Sequence, residues 1–585
     1  MGRKSMRKRQ PSQPLPSENP KDTKDTPDIQ ASTTDESAAE TIPATPTRPR
    51  QEPALSRKQR QRRPPHNQVR AGLAVVAGRT AGAVSRRLRI GGGTSIAGVV
   101  AQRVYPDIIE HLARELKHGS VMITGTNGKT TTSSFIADIL NDSGMRVWRN
   151  REGSNLTRGI AASLIIRAEP NGHLRQSGQA ISILEVDEAA LPKLVPMIPP
   201  RIIVFTNLFR DQLDRYGEVD AITSRWKTAI AQIPENATLV LNADDPAIAQ
   251  LGDNFKGRII YYGVNQLSTA FHQDSADERH QVIDTRVCST CGGEFVYDTR
   301  FYSHMGHYRC LNCGKSRPTP TVEATNVEAD GFDRLRMQVT LGEEQHEIIV
   351  PLPGLYNIYN ALAAITTAYA LDIPWEPITS GIEQFKPVFG RGESIEVQGK
   401  QLRLLLAKNP TGFNEVLRTL ITGEAPRHLL FVLNDNTADG KDISWIWDVD
   451  FERLTGYAAT IVVSGTRAYD LALRLKYAGV NEEHIRVIPS ASLRASRTLE
   501  KDERRDERRK ERTTPEKQKD ALQIPEQNRP SKQIYGLANA LQSALGETPT
   551  GETLFVVPTY TGLLELHHEL EQRGFTARYW EGKDV

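Results

Sequence analysis

Only four cysteines occur in 585 residues, too few for a disulfide framework in a chain of this length. No run of 18 apolar residues is present, so no membrane-spanning helix is predicted. A strong net charge is missing too. The total is +3 at pH 7, which does not mark the whole chain as a nucleic-acid binder. The hydrophobic share is 38% and the mean hydropathy −0.46. That is polar for a globular enzyme and predicts substantial disordered parts. The cationic start has no apolar core of signal-peptide type, and no internal repeat is evident. The length predicts two to four domains.

Residues 1–70 are rich in Pro, Ser, Thr and Arg and read as a disordered basic leader. Residues 71–119 read as a helical, small-residue segment interrupted by Arg79, Arg86, Arg87 and Arg89. Arg70–Arg89 fits either a solvated leader, the favoured reading, or a segment lying on an anionic membrane surface. From Ser120 onward strand-like apolar runs alternate with helical patterns, which predicts a parallel sheet covered by helices. The first such domain spans 120–392, with an insert at 287–315 where cysteines, glycines and aromatics break the rhythm. The rhythm resumes near Val350, and a C-terminal α/β domain covers 393–585. The almost wholly charged, low-complexity stretch 495–531 reads as a surface insertion.

Val121 to Thr132 reads V-M-I-T-G-T-N-G-K-T-T-T. Strand, glycine loop and helix start is the layout of a phosphate cradle, in which backbone N–H groups and the helix dipole face the anion. Gly125, Thr126, Asn127 and Gly128 form the loop. Lys129 can reach the outer phosphates, and Thr130, followed by Thr131, can ligate magnesium. The spacing is short, with two residues rather than four between Gly125 and Gly128. Glu185 and its neighbours Asp187 and Glu188 follow a predicted strand, where hard oxygen ligands suit magnesium. Asn207, Asp211–Asp214 and the Asn242–Pro246 run with Asp244 follow further strand ends. Each could be a plain turn, but together they mark one edge of the sheet.

Cys288-x2-Cys291 and Cys310-x2-Cys313 form two knuckles, each followed by glycine. This predicts a closed, structural four-thiolate zinc site in a ribbon-like insert. Lys408–Glu415 follows a strand near Leu402, and the next strand ends in Asn434–Asp442. Asp435, Asp439 and Asp442 precede Ser444-Trp445-Ile446-Trp447. Residue chemistry alone leaves metal ligand, base-orienting group and ordinary turn open.

Together these residues resemble the Mur ligase family, ATP-dependent amide-forming enzymes of peptidoglycan precursor synthesis. The resemblance rests on the glycine loop, Glu185, Thr206-Asn207-Leu208, Asn242-Ala-Asp-Asp-Pro246, Gly354-Leu-Tyr-Asn357-Ile-Tyr-Asn360 and Phe389-Gly-Arg391. It departs from the common family pattern at Gln212, where a histidine is usual, and in the four-cysteine insert. Both departures, with Lys408–Asn414 and the Asp435–Trp447 motif, are similar to one branch: the synthetase subunits of lipid II isoglutaminyl synthases. The resemblance implies a Mur ligase-like central ATPase domain and a Rossmann-like α/β C-terminal domain. It implies that the glycine loop and Glu185 hold ATP phosphates and Mg²⁺. The asparagine-rich segments (Asn207, Asn242 with Asp244, Asn357, Asn360) would approach adenine, and Arg391 would lie near the nucleotide.

It further implies amidation of the D-glutamate α-carboxylate of lipid II through an acyl phosphate. Ammonia would come from a GatD-type glutamine amidotransferase partner in a heterodimer. An aspartate would complement that partner's Cys/His pair: Asp435, with Asp439 and Asp442 as runners-up. No nucleic-acid partner is expected. A cytoplasmic location, with work at the inner face of the plasma membrane, suits a lipid-tailed substrate. The alternative is a Mur- or folylpolyglutamate-type ligase that adds an amino acid.

Overall fold

The computed structural model describes residues 65–88, 96–150, 154–175, 180–210, 219–268, 284–330, 332–387, 390–421, 426–490 and 535–576. The leader up to residue 64, Asp211–Asp214, Phe389 and the charged stretch 495–531 lie outside them.

Alternating apolar residues build the first sheet, because successive strand side chains point to opposite faces. In β1 (Ser120–Thr124), Val121 and Ile123 enter one core and Met122 the other. The same alternation recurs in β4 (Ile202–Phe205). With β2 (Arg146–Arg149), β3 (Ala180–Glu185), β5 (Thr238–Asn242), β6 (Arg258–Val264), β9 (Val322–Asp330), β10 (Arg334–Leu341) and β11 (Glu344–Val350), they form nine strands in the order β11-β10-β9-β6-β5-β4-β1-β3-β2. From β2 to β9 the pairing is parallel; β9, β10 and β11 pair antiparallel. Because β1 lies between β3 and β4, the loops leaving those three strands meet at one edge, the usual ligand position in such sheets.

The second sheet has the order β12-β13-β17-β14-β15-β16. Its strands are β12 (Arg391–Val397), β13 (Lys400–Leu405), β14 (Arg427–Val432), β15 (Ala458–Ser464), β16 (Ile485–Val487) and β17 (Thr553–Pro558). All neighbours are parallel except the β12–β13 hairpin. After β16 the chain leaves the described residues at Ser490 and returns at Tyr535. The N–H of Gly536 donates to the carbonyl of Pro489 at 3.0 Å, so exit and re-entry are adjacent.

Residues 70–88 are not a solvated leader. They belong to helix α1 (Pro65–Leu88), whose Ala71, Ala74 and Val75 are fully buried; Arg89 lies outside the described residues. Small residues permit close helix contact here. A Cβ on Gly78 would meet the carbonyl of Ala97 in α2 (Ile96–Val104). One on Gly98 would meet that of Arg158 in α4 (Thr157–Arg167), and α3 (Lys129–Asp142) follows the glycine loop.

The cysteine-bearing insert forms its own two-stranded sheet, β7 (Phe295–Tyr302) with β8 (Met305–Cys310). Its tip is driven into the core. His304 is fully buried, 4.8 Å from the Phe209 ring and 3.3 Å from a carboxylate oxygen of Asp245.

Candidate functional site

The loop after β1 needs glycine for two independent reasons. Gly125 and Gly128 have φ of +136° and +85°, and a Cβ on either would overlap Thr206 Oγ1 or Asn360 Oδ1 respectively. Thr206 and Asn207 brace the loop from β4. Asn207 Oδ1 accepts from the Asn127 N–H at 2.9 Å, and Thr206 Oγ1 donates to the Asn127 carbonyl at 2.8 Å. Thr126 bonds both ways to the Phe209 backbone, at 3.0 and 3.1 Å.

Glu185, at the end of β3, is buried beneath the loop. Its carboxylate accepts from Thr130 Oγ1 at 2.7 Å and Ser133 Oγ at 2.8 Å, with Arg149 3.6 Å away. Lys129 Nζ lies back on the Gly125 and Thr126 carbonyls and 3.2 Å from Glu188. A hydroxyl and a carboxylate in contact, next to an amine, can hold a divalent cation and a polyphosphate.

These groups line a cleft of about 340 Å³. Thr126, Asn127, Gly128, Lys129, Thr130, Thr131, Glu185 and Asn207 form its floor. Asn357 and Asn360, from helix α5 (Tyr356–Ala370), and Arg391, from the start of β12, join them as expected from sequence. Asn360 donates to Asn357 at 3.0 Å and accepts from Thr132 at 3.4 Å. Asn242 and Asp244 do not line the cleft; both are fully buried supports. Asn242 donates to the Thr206 carbonyl at 2.9 Å. Asp244 accepts from Tyr359 at 2.8 Å and the Val264 N–H at 2.7 Å, and pairs with Arg317.

Tyr302, which carries no motif, and residues of the Lys408–Glu415 run close the opposite wall. Tyr302 comes from the insert, and Lys408, Thr411 and Glu415 come from the second sheet's first loop and helix α6 (Pro410–Leu420). Burial pushes the Glu415 carboxyl up, with Arg418 beside it at 3.1 Å drawing it back down. Arg418 also donates to the Phe301 carbonyl at 3.0 Å, fastening the insert to the second half. No sequence signal marks Tyr302, because it reaches the cleft only through the hairpin's insertion.

The four cysteine sulfurs lie within 4.8 Å of one another. Cys288 and Cys313 are 3.7 Å apart and Cys291 and Cys310 3.5 Å. A tetrahedron with metal–sulfur bonds of about 2.3 Å has edges of roughly 3.8 Å, so the donor set fits a four-thiolate metal. Gly292 and Gly314 adopt φ of +71° and +72°, and their N–H groups return to the Cys288 and Cys310 carbonyls at 2.8 and 3.0 Å. The Gly293 N–H heads the contacts that pull the Cys291 thiol down to about 6.

The three aspartates after β14 differ. Partial burial would raise the Asp435 carboxyl, but Thr466 at 2.8 Å and Arg467 at 3.0 Å hold it below its usual range. Asp439 is buried, which pushes it up, and accepts from the Thr561 N–H at 2.8 Å and the Thr561 hydroxyl. Asp442 is held down by the Ser444 N–H, 2.8 Å away.

Comparison with known proteins agrees with this layout. The Mur ligase middle domain matches residues 123–313 and the MurT ligase C-terminal domain matches 406–511. The chain is 35% identical over 409 residues to the "Lipid II isoglutaminyl synthase (glutamine-hydrolyzing) subunit MurT" of Staphylococcus aureus strain COL, covering 70% of this chain and 87% of that one. It is 34% identical to the Streptococcus pneumoniae protein of the same name, covering 71% and 89%. The fold is similar to a pseudomurein peptide ligase type C from Methanothermus fervidus, with TM-score 0.52, 21% identity and coverage of 78% and 79%. It is also similar to MurF from Acinetobacter baumannii, with TM-score 0.52, 14% identity and coverage of 81% and 80%. With both halves matched in order and a third of residues shared across most of its length, the chain belongs to the MurT family of Mur-type ligases.

Proposed function

We propose that this protein is the synthetase subunit that converts the D-glutamate α-carboxylate of lipid II to D-isoglutamine. The carrying observation is the contact of Thr130 with Glu185 at 2.7 Å beneath Lys129, in a cleft walled by both halves. ATP would lie on the glycine loop, with its terminal phosphate toward Lys129. Mg²⁺, when bound at Thr130 and Glu185, would screen the transferring phosphoryl charge. The substrate carboxylate takes the γ-phosphoryl group and ADP leaves. Ammonia then forms the C–N bond, the C–O bond to phosphate breaks, and a proton is lost. Lys129 stabilises the oxygens that gain charge.

The ammonia needs a source. Hydrolysis of glutamine by a cysteine nucleophile requires a thiolate beside a base. All four cysteines here belong to the two knuckles, where we assign structural Zn²⁺. That supports a GatD-type glutaminase partner, with Asp435 presented to its Cys/His pair. The relatives bear the words "glutamine-hydrolyzing" and "subunit", which support the same reading.

The test is mass spectrometry of lipid II incubated with ATP and glutamine, with and without a glutaminase subunit. A loss of about 1 Da, as OH becomes NH2, should require the partner with glutamine but not with ammonium. A mass gain from a supplied amino acid, with no amidation under ammonium, would move the protein to the amino-acid-adding ligases.

A further inference from the structure

Helix α1 has two apolar faces, and only one is used by the fold. Ala71, Ala74 and Val75 turn inward and are fully buried, with Gly72 and Gly78 on the same side. Val69, Leu73, Val76 and Val84 turn outward and are 46% to 65% exposed. Their spacing, with Thr80 and Arg87 between and after them, places them on one stripe of a 3.6-residue helix. An outward stripe of aliphatic side chains where polar residues are expected marks an interaction surface.

Charge indicates what covers it. From Pro53 to Pro106 there is no Asp or Glu, while eleven Arg or Lys occur. This one stretch carries +11 in a chain whose total is only +3. Five of those cations fall in residues 56–63, shortly before the helix in the sequence. Arg70 and Arg87 are exposed on α1 itself, whereas Arg79 is engaged with the Ala168 carbonyl at 3.2 Å. The leader is a poor occupant for the stripe. Its large apolar residues in 1–64 are Met1, Met6, Leu15, Ile29, Ile42 and Leu55, too scattered to form a matching face.

We infer that the outer face of α1 docks on an anionic membrane surface. Val69, Leu73, Val76 and Val84 would enter the acyl boundary, with Arg70 and Arg87 on lipid phosphates. No helix among the described residues is long and apolar enough to cross a membrane, so the attachment is in-plane. This inference stands on α1 and its charge, independent of the reaction proposed above.

Co-sedimentation of the full-length protein with extruded vesicles tests it. The wild type should partition onto phosphatidylglycerol/phosphatidylcholine vesicles and release from them in high salt, with little binding to phosphatidylcholine alone. L73S/V76S alters exposed positions and should lower that partitioning on the order of tenfold; R70Q/R87Q should lower it severalfold. Equal partitioning of wild type and L73S/V76S would overturn the proposal, leaving only attraction by the basic run. So would a dimer that L73S/V76S converts to monomer with vesicle binding unchanged. Tighter binding of the wild type to duplex RNA than to the anionic vesicles, insensitive to L73S/V76S, would also overturn it.

Discussion

The side-chain amides of Asn127 and Asn409 face each other, one on the glycine loop and one at the head of α6. Asn409 Nδ2 donates to Asn127 Oδ1 at 3.0 Å, and Asn127 Nδ2 donates back at 3.4 Å. Asn409 also caps α6, its Oδ1 accepting from the Gly412 N–H at 2.8 Å. The phosphate loop is thereby tied to the half that supplies the cleft's far wall.

Two substitutions separate these roles. Asn409→Asp keeps the cap acceptor but cannot donate to Asn127. It should retain thermal stability and raise the KM for ATP roughly fivefold, about 1 kcal/mol of lost hydrogen bonding. Asn409→Ala should do the same and also lower stability by about 1 kcal/mol through the lost cap. Melting curves beside ATP titrations make the distinction.

Lys129→Ala should reduce ATP-dependent product formation by about 100-fold or more, mostly in kcat, since the amine faces charge that grows during transfer. Glu185→Gln should instead shift the Mg²⁺ concentration for half-maximal rate upward by about tenfold. A magnesium titration that is unchanged in Glu185→Gln would remove that residue from the cation site.

Much of this site was legible in advance because its motifs follow strand ends and its strands alternate cleanly. The glycine loop, Glu185, Asn207 and the cysteine knuckles needed only local pattern. The antiparallel strands β9 to β11 did not show. Their alternation of Val and Met with Glu, Arg and Gln reads as polar linker unless a sheet already covers one face. The helical, small-residue character of α1 was legible, but the close packing of its Gly78 against α2 was not, because that contact is long-range. Asn242 and Asp244 sit in a motif that looks like ligand chemistry, yet the structure uses them as braces. Asn409 and Tyr302 depend on long-range contacts that no short window contains.

Cys310→Ser should abolish stoichiometric metal, measured by elemental analysis, and lower the melting temperature. Because the same insert carries Tyr302 into the cleft wall and His304 into the core beside Phe209, the metal-free protein should also bind ATP several-fold more weakly. Metal loss with unchanged ATP affinity would confine the insert to a role away from the cleft.

Asn substitutions at the three aspartates should rank by glutamine-dependent activity. Asp435→Asn should lose it by about 100-fold or more while keeping ammonium-dependent activity. Asp439→Asn should chiefly lower stability, because it removes an acceptor for Thr561. If Asp442→Asn alone abolishes coupling to the partner, the assignment moves to that position.

Asp138, on α3, is raised to about 6 by burial, partly countered by Arg149. Between the ordinary carboxylate pKa of 3.8 and about 6, the folded state binds more protons than the unfolded chain. Stability therefore falls as pH rises through that window, and the cost is complete above it. Asp138→Asn should raise the melting temperature by about 2 °C at pH 7.5, from roughly 1 kcal/mol after solvent screening. At pH 4 it should gain nothing.

The hydrogen bond between Gly536 and Pro489 has a consequence for how this chain can change. The 44 residues from 491 to 534 depart and come back at one closed point on the second sheet. Their number is thus uncoupled from the register of every strand around them, and lengthening such a loop costs only logarithmically in entropy. The enzyme carries a site where sequence can be gained, shed or exchanged for a short glycine–serine link without the fold registering the difference.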